Sequence, residues 1–213
     1  MRYGVAFHSI LFSAAMASAA VAHPHVFIDT EIGFKFDDAG KLNAVRVTWG
    51  YDAFSSLRLF EILDLDADRD GELDDIDRTR IITVQTTWPD GFEGDTYLEQ
   101  DGEPISLLVP ENQSTWLEDA QIHVAFDLPL AEPIDPVGEI VLRPYDPTYH
   151  IAFTVVELED ELKDGCTVEL LPFKKDKATA ALLVQLAQLT REETPEQENV
   201  GRGFADQVWL TCG

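Results

Sequence analysis

Apolar and polar residues alternate with period two across residues 25–36 (HVFIDTEIGFKF) and again across 41–51 (KLNAVRVTWGY). Both runs are rich in β-branched and aromatic residues, and the turn Asp37-Asp38-Ala39-Gly40 lies between them, so they predict a β-hairpin. Val26, Ile28 and Ile32 share one face of the first strand; His25, Phe27, Asp29 and Glu31 share the other. The period then lengthens. Ala53, Leu57 and Phe60 stand at i, i+4 and i+7, which predicts a helix over 52–63 with Asp52 as its N-cap. A second helix is expected over 74–86, ended before Pro89. Short strands follow at about 95–99, 105–109, 121–128, 138–143, 149–158 and 166–171, separated by Gly, Pro, Asp and Asn clusters such as Pro110-Glu111-Asn112. Residues 175–190 read as a helix with Leu182, Leu186 and Leu189 on one stripe, 191–203 as a polar linker, and 204–212 as a closing strand. The predicted fold is mainly β, an antiparallel sandwich in one domain over 23–213, with a helix–loop–helix insertion at 52–88 and a C-terminal helix.

The first 22 residues follow a different rule. Arg2 gives a positive start, an apolar run extends from Val5 to Met16, and Ala20-Val21-Ala22 meets the small-residue pattern of a signal-peptidase site. The expectation is an exported, periplasmic protein cleaved after Ala22, with no membrane insertion afterwards. The formal net charge is −25, and the leader holds one arginine and no acid. So acidic a surface repels phosphate backbones and anionic lipid, which argues against nucleic-acid partners and favours cations. The two cysteines, Cys166 and Cys212, suit a disulfide in an exported chain; thiolate metal ligation is the rival, without a C-x-x-C pair to support it.

Residues 66–77 (DADRDGELDDID) match a twelve-position EF-hand calcium loop. Asp66, Asp68 and Asp70 occupy positions 1, 3 and 5, and Gly71 permits the turn at position 6. Glu72 offers its carbonyl at position 7, Leu73 anchors position 8 in apolar packing, Asp74 binds through water at position 9, and Asp77 closes position 12. Asp77 departs from the usual glutamate by one methylene, which weakens Ca2+ and favours Mg2+ in competition. A lone loop suits a structural ion better than a sensor.

Cleavage after Ala22 makes His23 the first residue. Its α-amine and imidazole then form a chelate that suits Ni2+, Co2+, Zn2+ or Cu2+. Pro24 has no amide N–H, so a copper motif built on deprotonated amides is blocked. The additional ligands must come from His25 and from residues brought in by folding, with His150 first and His123 second. For each histidine the bland alternative is a frayed terminus or a satisfied position in a strand.

Several motifs in order, namely the leader, His23-Pro24-His25-Val26-Phe27-Ile28-Asp29, Val47-Thr48-Trp49, the aspartate loop, Phe92-Glu93-Gly94, Tyr145-Asp146-Pro147-Thr148-Tyr149 and a late cysteine, carry a resemblance. Together they resemble a bacterial family of unknown function often described as the periplasmic component of an uncharacterised ABC-type transport system. That resemblance implies a periplasmic location and a link to nickel, cobalt or zinc transport; it brings no catalytic or ligand residues with it. Signatures of the common hydrolases and nucleotide binders are missing: no G-x-S-x-G, no H-E-x-x-H, no phosphate-cradling glycine loop. The leading expectation is therefore a non-enzymatic calcium-binding accessory of transition-metal transport, partnered by a membrane metal transporter. The alternatives are a calcium-stabilised envelope interaction module and a copper enzyme using His23.

Overall fold

The computed structural model describes residues 23–89, 91–159, 162–190 and 193–213. The predicted leader lies outside the described residues. Among them, no helix is long and apolar enough to cross a membrane.

Ten strands among the described residues form two five-stranded sheets. The first contains β1 (Val26–Phe36), β2 (Leu42–Tyr51), β5 (Glu111–Glu118), β6 (Gln121–Ile134) and β8 (Ile151–Leu158), in the order β5-β6-β2-β1-β8. The second contains β3 (Thr96–Gln100), β4 (Glu103–Ile105), β7 (Ile140–Pro144), β9 (Cys166–Leu171) and β10 (Gln207–Cys212), in the order β4-β3-β7-β10-β9. One apolar core joins them: Ile28, Val47 and Phe126 of the first sheet belong to the same buried cluster as Leu98, Leu142 and Leu210 of the second. The expected hairpin is present, and Ile28 and Ile32 face inward as their spacing requires.

One pairing departs from the expected antiparallel arrangement. β1 and β8 run parallel, Val26 opposite Ile151 through Ile32 opposite Leu158. A parallel pair places both strand starts at the same end. The residues just before them, His25 and His150, therefore emerge side by side, and His150 O accepts from the amides of His25 at 2.8 Å and Val26 at 3.3 Å.

The insertion consists of α1 (Ala53–Leu63) and α2 (Asp75–Thr86). Asp52 caps α1 by accepting from Ser55 N. The buried side of α1 is not the Ala53–Leu57–Phe60 stripe, for Leu57 is 67% exposed. Instead Ser55 and Ser56 face the sheet, and the Ser56 hydroxyl donates to Tyr51 O at 3.2 Å and accepts from Ile122 N at 2.9 Å. Small side chains allow the close approach that lets a hydroxyl tie the helix to two strands.

After β9, α3 (Lys177–Leu186) packs Leu182 and Leu186, with Leu189 just beyond its end, against Val200, Phe204, Phe173 and Tyr149 in a second small core. A 3-10 turn at Val200–Phe204 follows, inside the segment expected to be linker and strand. Gly201 sits so near the chain at residue 146 that a Cβ there would lie 1.9 Å from Asp146 O, so only glycine fits. This small core backs the turn that carries His150.

Cys166 and Cys212 form a disulfide at the paired ends of β9 and β10, enclosing α3 and the 3-10 turn. Closing a loop of 46 residues stabilises by about 4 kcal/mol in the chain-entropy account, of which measured bridges deliver a little less. Replacing both cysteines by serine is expected to cost about 3 kcal/mol and lower the melting temperature by about 6–12 °C. Unchanged thermal denaturation of the double variant would show that the bridge constrains nothing.

Candidate metal centres

Three imidazoles meet where β1 and β8 begin. Ligand atoms of His23, His25 and His150 lie within 4.8 Å of one another. Ring centroids are 4.4 Å apart for His23 and His150, 4.8 Å for His23 and His25, and 5.8 Å for His25 and His150. Nitrogens around a tetrahedral zinc stand about 3.3 Å apart, given Zn–N bonds near 2.05 Å, so a zinc ion here would require the rings to move inward by up to about 1.5 Å.

His23 is the deepest of the three, at 1% exposure, and its ring nitrogens make no hydrogen bond of good geometry among the described residues, although backbone groups of Glu193 and Thr190 lie near enough to act on the ring. A buried polar ring so weakly partnered demands an explanation, and the one lone pair of a neutral imidazole beside two further imidazoles suits a metal ligand. Burial holds the His23 imidazole below its ordinary value, and the neighbouring His150 acts in the same sense. Nearby backbone groups of Glu193 and Thr190, and the charge of Asp146, oppose this more weakly. The neutral ring is the form that ligates.

His150 occupies a turn, not the strand expected over 149–158, because Asp146 folds the chain back. One Asp146 oxygen accepts from His150 N at 2.7 Å and Ile151 N at 3.0 Å; the other accepts from Thr148 N and the Thr148 hydroxyl, each at 2.8 Å. Tyr149 takes a left-handed backbone (φ 60) to complete the turn, and its ring stacks on Phe204 at 4.3 Å. Sequence reasoning quoted Asp146 and Thr148 as a motif and gave them no role. The available signal was an aspartate two residues before a threonine, a pair suited to a side-chain-closed turn. His123 stands apart. It lies on β6, stacked on Trp116 at 5.2 Å with Gly50 beneath it, and is not in the cluster.

The acidic loop connects α1 to α2. Carboxylate oxygens of Asp66, Asp68 and Asp70 lie within 4.8 Å of one another, while Glu72, Asp74 and Asp77 are not in that group. Asp66 accepts from Asp70 N at 2.9 Å and Gly71 N at 3.2 Å, and Asp70 accepts from Glu72 N at 2.9 Å. Gly71 has φ 84, the left-handed backbone the turn requires. Leu73 is buried in the main core. Asp74 caps α2 through Ile76 N and Asp77 N, and Asp77 returns the contact by accepting from Asp66 N at 3.1 Å and Asp74 N at 3.4 Å. Asp77 thus joins the two ends of the loop.

A protein of Haemophilus influenzae described as uncharacterized is 24% identical over 215 residues, spanning 96% of this chain and 98% of that one. The family model described as protein of unknown function (DUF1007) matches residues 8–212. The match takes in the histidine cluster, the acidic loop and both cysteines, and the chain belongs to the DUF1007 family.

Proposed function

We propose that this protein is an exported, non-enzymatic metal-binding accessory of transition-metal transport in the periplasm. It holds Zn2+, Ni2+ or Co2+ at His23, His25 and His150, and a structural Ca2+ in the 66–77 loop. The observation that carries the reading is the convergence of three histidines whose ligand atoms lie within 4.8 Å of one another, one of them buried. Imidazole is the ligand these borderline cations share. Cleavage after Ala22 adds a fourth nitrogen, the α-amine of His23, which completes a tetrahedral set or a five-membered shell with water. The leader pattern and acidic charge agree with export and with attraction of cations.

The test compares the exported protein, beginning at His23, with a version that retains Ala22. Zinc titration of the first should show one tight site, and the second should bind at least about tenfold more weakly because its terminal amine is displaced from the ring. Replacing all three histidines by alanine should abolish the site. Zinc binding that survives the triple replacement, or none in the wild-type protein, would end the proposal.

A second reading, a calcium-stabilised interaction module of the envelope, draws on α1. Its outer face exposes Phe54, Leu57 and Ile62, each more than 60% accessible. Such a surface suits a protein partner. That reading expects partner capture to be indifferent to His23→Ala and His25→Ala, whereas the metal reading expects capture by a transporter to depend on them.

A further inference from the structure

The Thr148 hydroxyl oxygen lies 2.8 Å from an Asp146 carboxylate oxygen and 2.6 Å from His150 Nδ1. A hydroxyl has one proton to donate. The carboxylate has none, so that proton occupies the Thr148–Asp146 bond. The threonine oxygen can then only accept from the imidazole, and the hydrogen of neutral His150 must sit on Nδ1. Its Nε2 is left with a bare lone pair.

We infer that Asp146 and Thr148 are positioning residues that fix the tautomer of His150 and so present Nε2 as a ligand to the histidine cluster. The inference rests on the metal reading for its purpose but on hydrogen-bond geometry for its content. An isolated histidine side chain favours hydrogen on Nε2, the wrong nitrogen for this role, so the tautomer has to be imposed. Asp146 imposes it economically. The same carboxylate that folds the 146–151 turn through three backbone amides also orients the threonine hydroxyl. Asp146 is buried, which keeps water from competing for these contacts. An imidazole ligand whose second nitrogen donates to an anchored oxygen binds metal more strongly, and loss of such an outer contact costs about 10–100-fold in affinity.

Thr148→Val removes the hydroxyl while keeping the shape of the side chain and the Thr148 N–H bond to Asp146; Thr148→Ser restores the hydroxyl. Long-range 1H–15N spectra of the exported, metal-stripped protein, recorded in mildly alkaline buffer, report the tautomer directly. The wild type and Thr148→Ser should show hydrogen on Nδ1 of His150. Thr148→Val should shift it toward Nε2 and weaken zinc binding at least about tenfold, with Thr148→Ser recovering both. A threonine that merely packs would leave the tautomer unchanged on substitution by valine. An Nε2–H tautomer in the wild type, or an unmoved one in Thr148→Val, overturns the inference. Hydrogen on Nδ1 in a wild-type protein that takes up no zinc upholds the relay and refutes the metal site instead.

Discussion

Asp95→Asn should be more stable than the wild type by a margin that widens by about 3 kcal/mol from about pH 5.5 to about pH 8.5. Asp95 is 4% exposed, between Gly94 and the first residue of β3. Burial, and secondarily the charge of Asp146, push its carboxyl up to about 8. In the unfolded chain the same group ionises near about 3.9. Between those values the folded protein keeps a proton that the unfolded chain sheds, so each unit of pH removes about 1.4 kcal/mol of stability. The contribution of a raised carboxyl is complete below the unfolded value and has vanished once pH passes the folded one. Asparagine has no proton to lose, and its variant lacks that slope. It also tolerates the left-handed backbone that Asp95 adopts, φ 49, so the replacement adds no strain. Urea unfolding of both proteins across the range gives the margin; parallel stability curves would mean that Asp95 is ionised throughout.

Asp95 shows where sequence reasoning stops. It stands at the start of the strand predicted over 95–99, where nothing in the local pattern marks burial of a carboxyl, and its burial follows from the meeting of two sheets. The elements with local causes were legible. Alternation and the Asp37–Gly40 turn specify the β1–β2 hairpin, and Asp52 and Asp74 cap the helices they precede. A strand was missed at 111–118 because Pro110-Glu111-Asn112 carries turn chemistry. That chemistry is real, but it serves a bulge. Asn112 has φ 50, and the register against β6 shifts between Glu111 and Ser114. The parallel pairing of β1 with β8 had no local signal, because it joins segments about 125 residues apart. His25 and His150 are neighbours only through that pairing. Nitrogen chemistry therefore marked His150 as a candidate ligand, while the turn that holds it, and the roles of Asp146 and Thr148, came from tertiary structure. The α1 stripe failed for a related reason. Serines meeting a strand through hydrogen bonds outweighed the burial of Leu57, which an apolar count alone would have placed inside.

Asp66→Ala is expected to remove calcium binding, and with it a rise in melting temperature of about 5–11 °C that saturating calcium gives the wild type. Extracellular calcium modules bind at about 0.1–1 mM, so an excess of about 100-fold over the dissociation constant stabilises by about 2.7 kcal/mol. Asp66 has two tasks in the loop. It is the first carboxylate of the proposed shell, and it holds the amides of Asp70 and Gly71, which bend the chain so that Asp68 and Asp70 come within reach. Three carboxylates this close repel one another, and a divalent cation turns that repulsion into attraction. The control is Asp75→Ala, which removes the same charge from the first turn of α2, outside the proposed ligand set. A diffuse electrostatic effect would weaken calcium equally in both variants; a coordination shell loses it only in Asp66→Ala. Equal losses, or a wild-type melting temperature that calcium does not move, would dismiss the site. Magnesium should give a rise closer to calcium's than a loop ending in glutamate allows. The shorter Asp77 is held by the amides of Asp66 and Asp74, and a contracted cage suits the smaller ion.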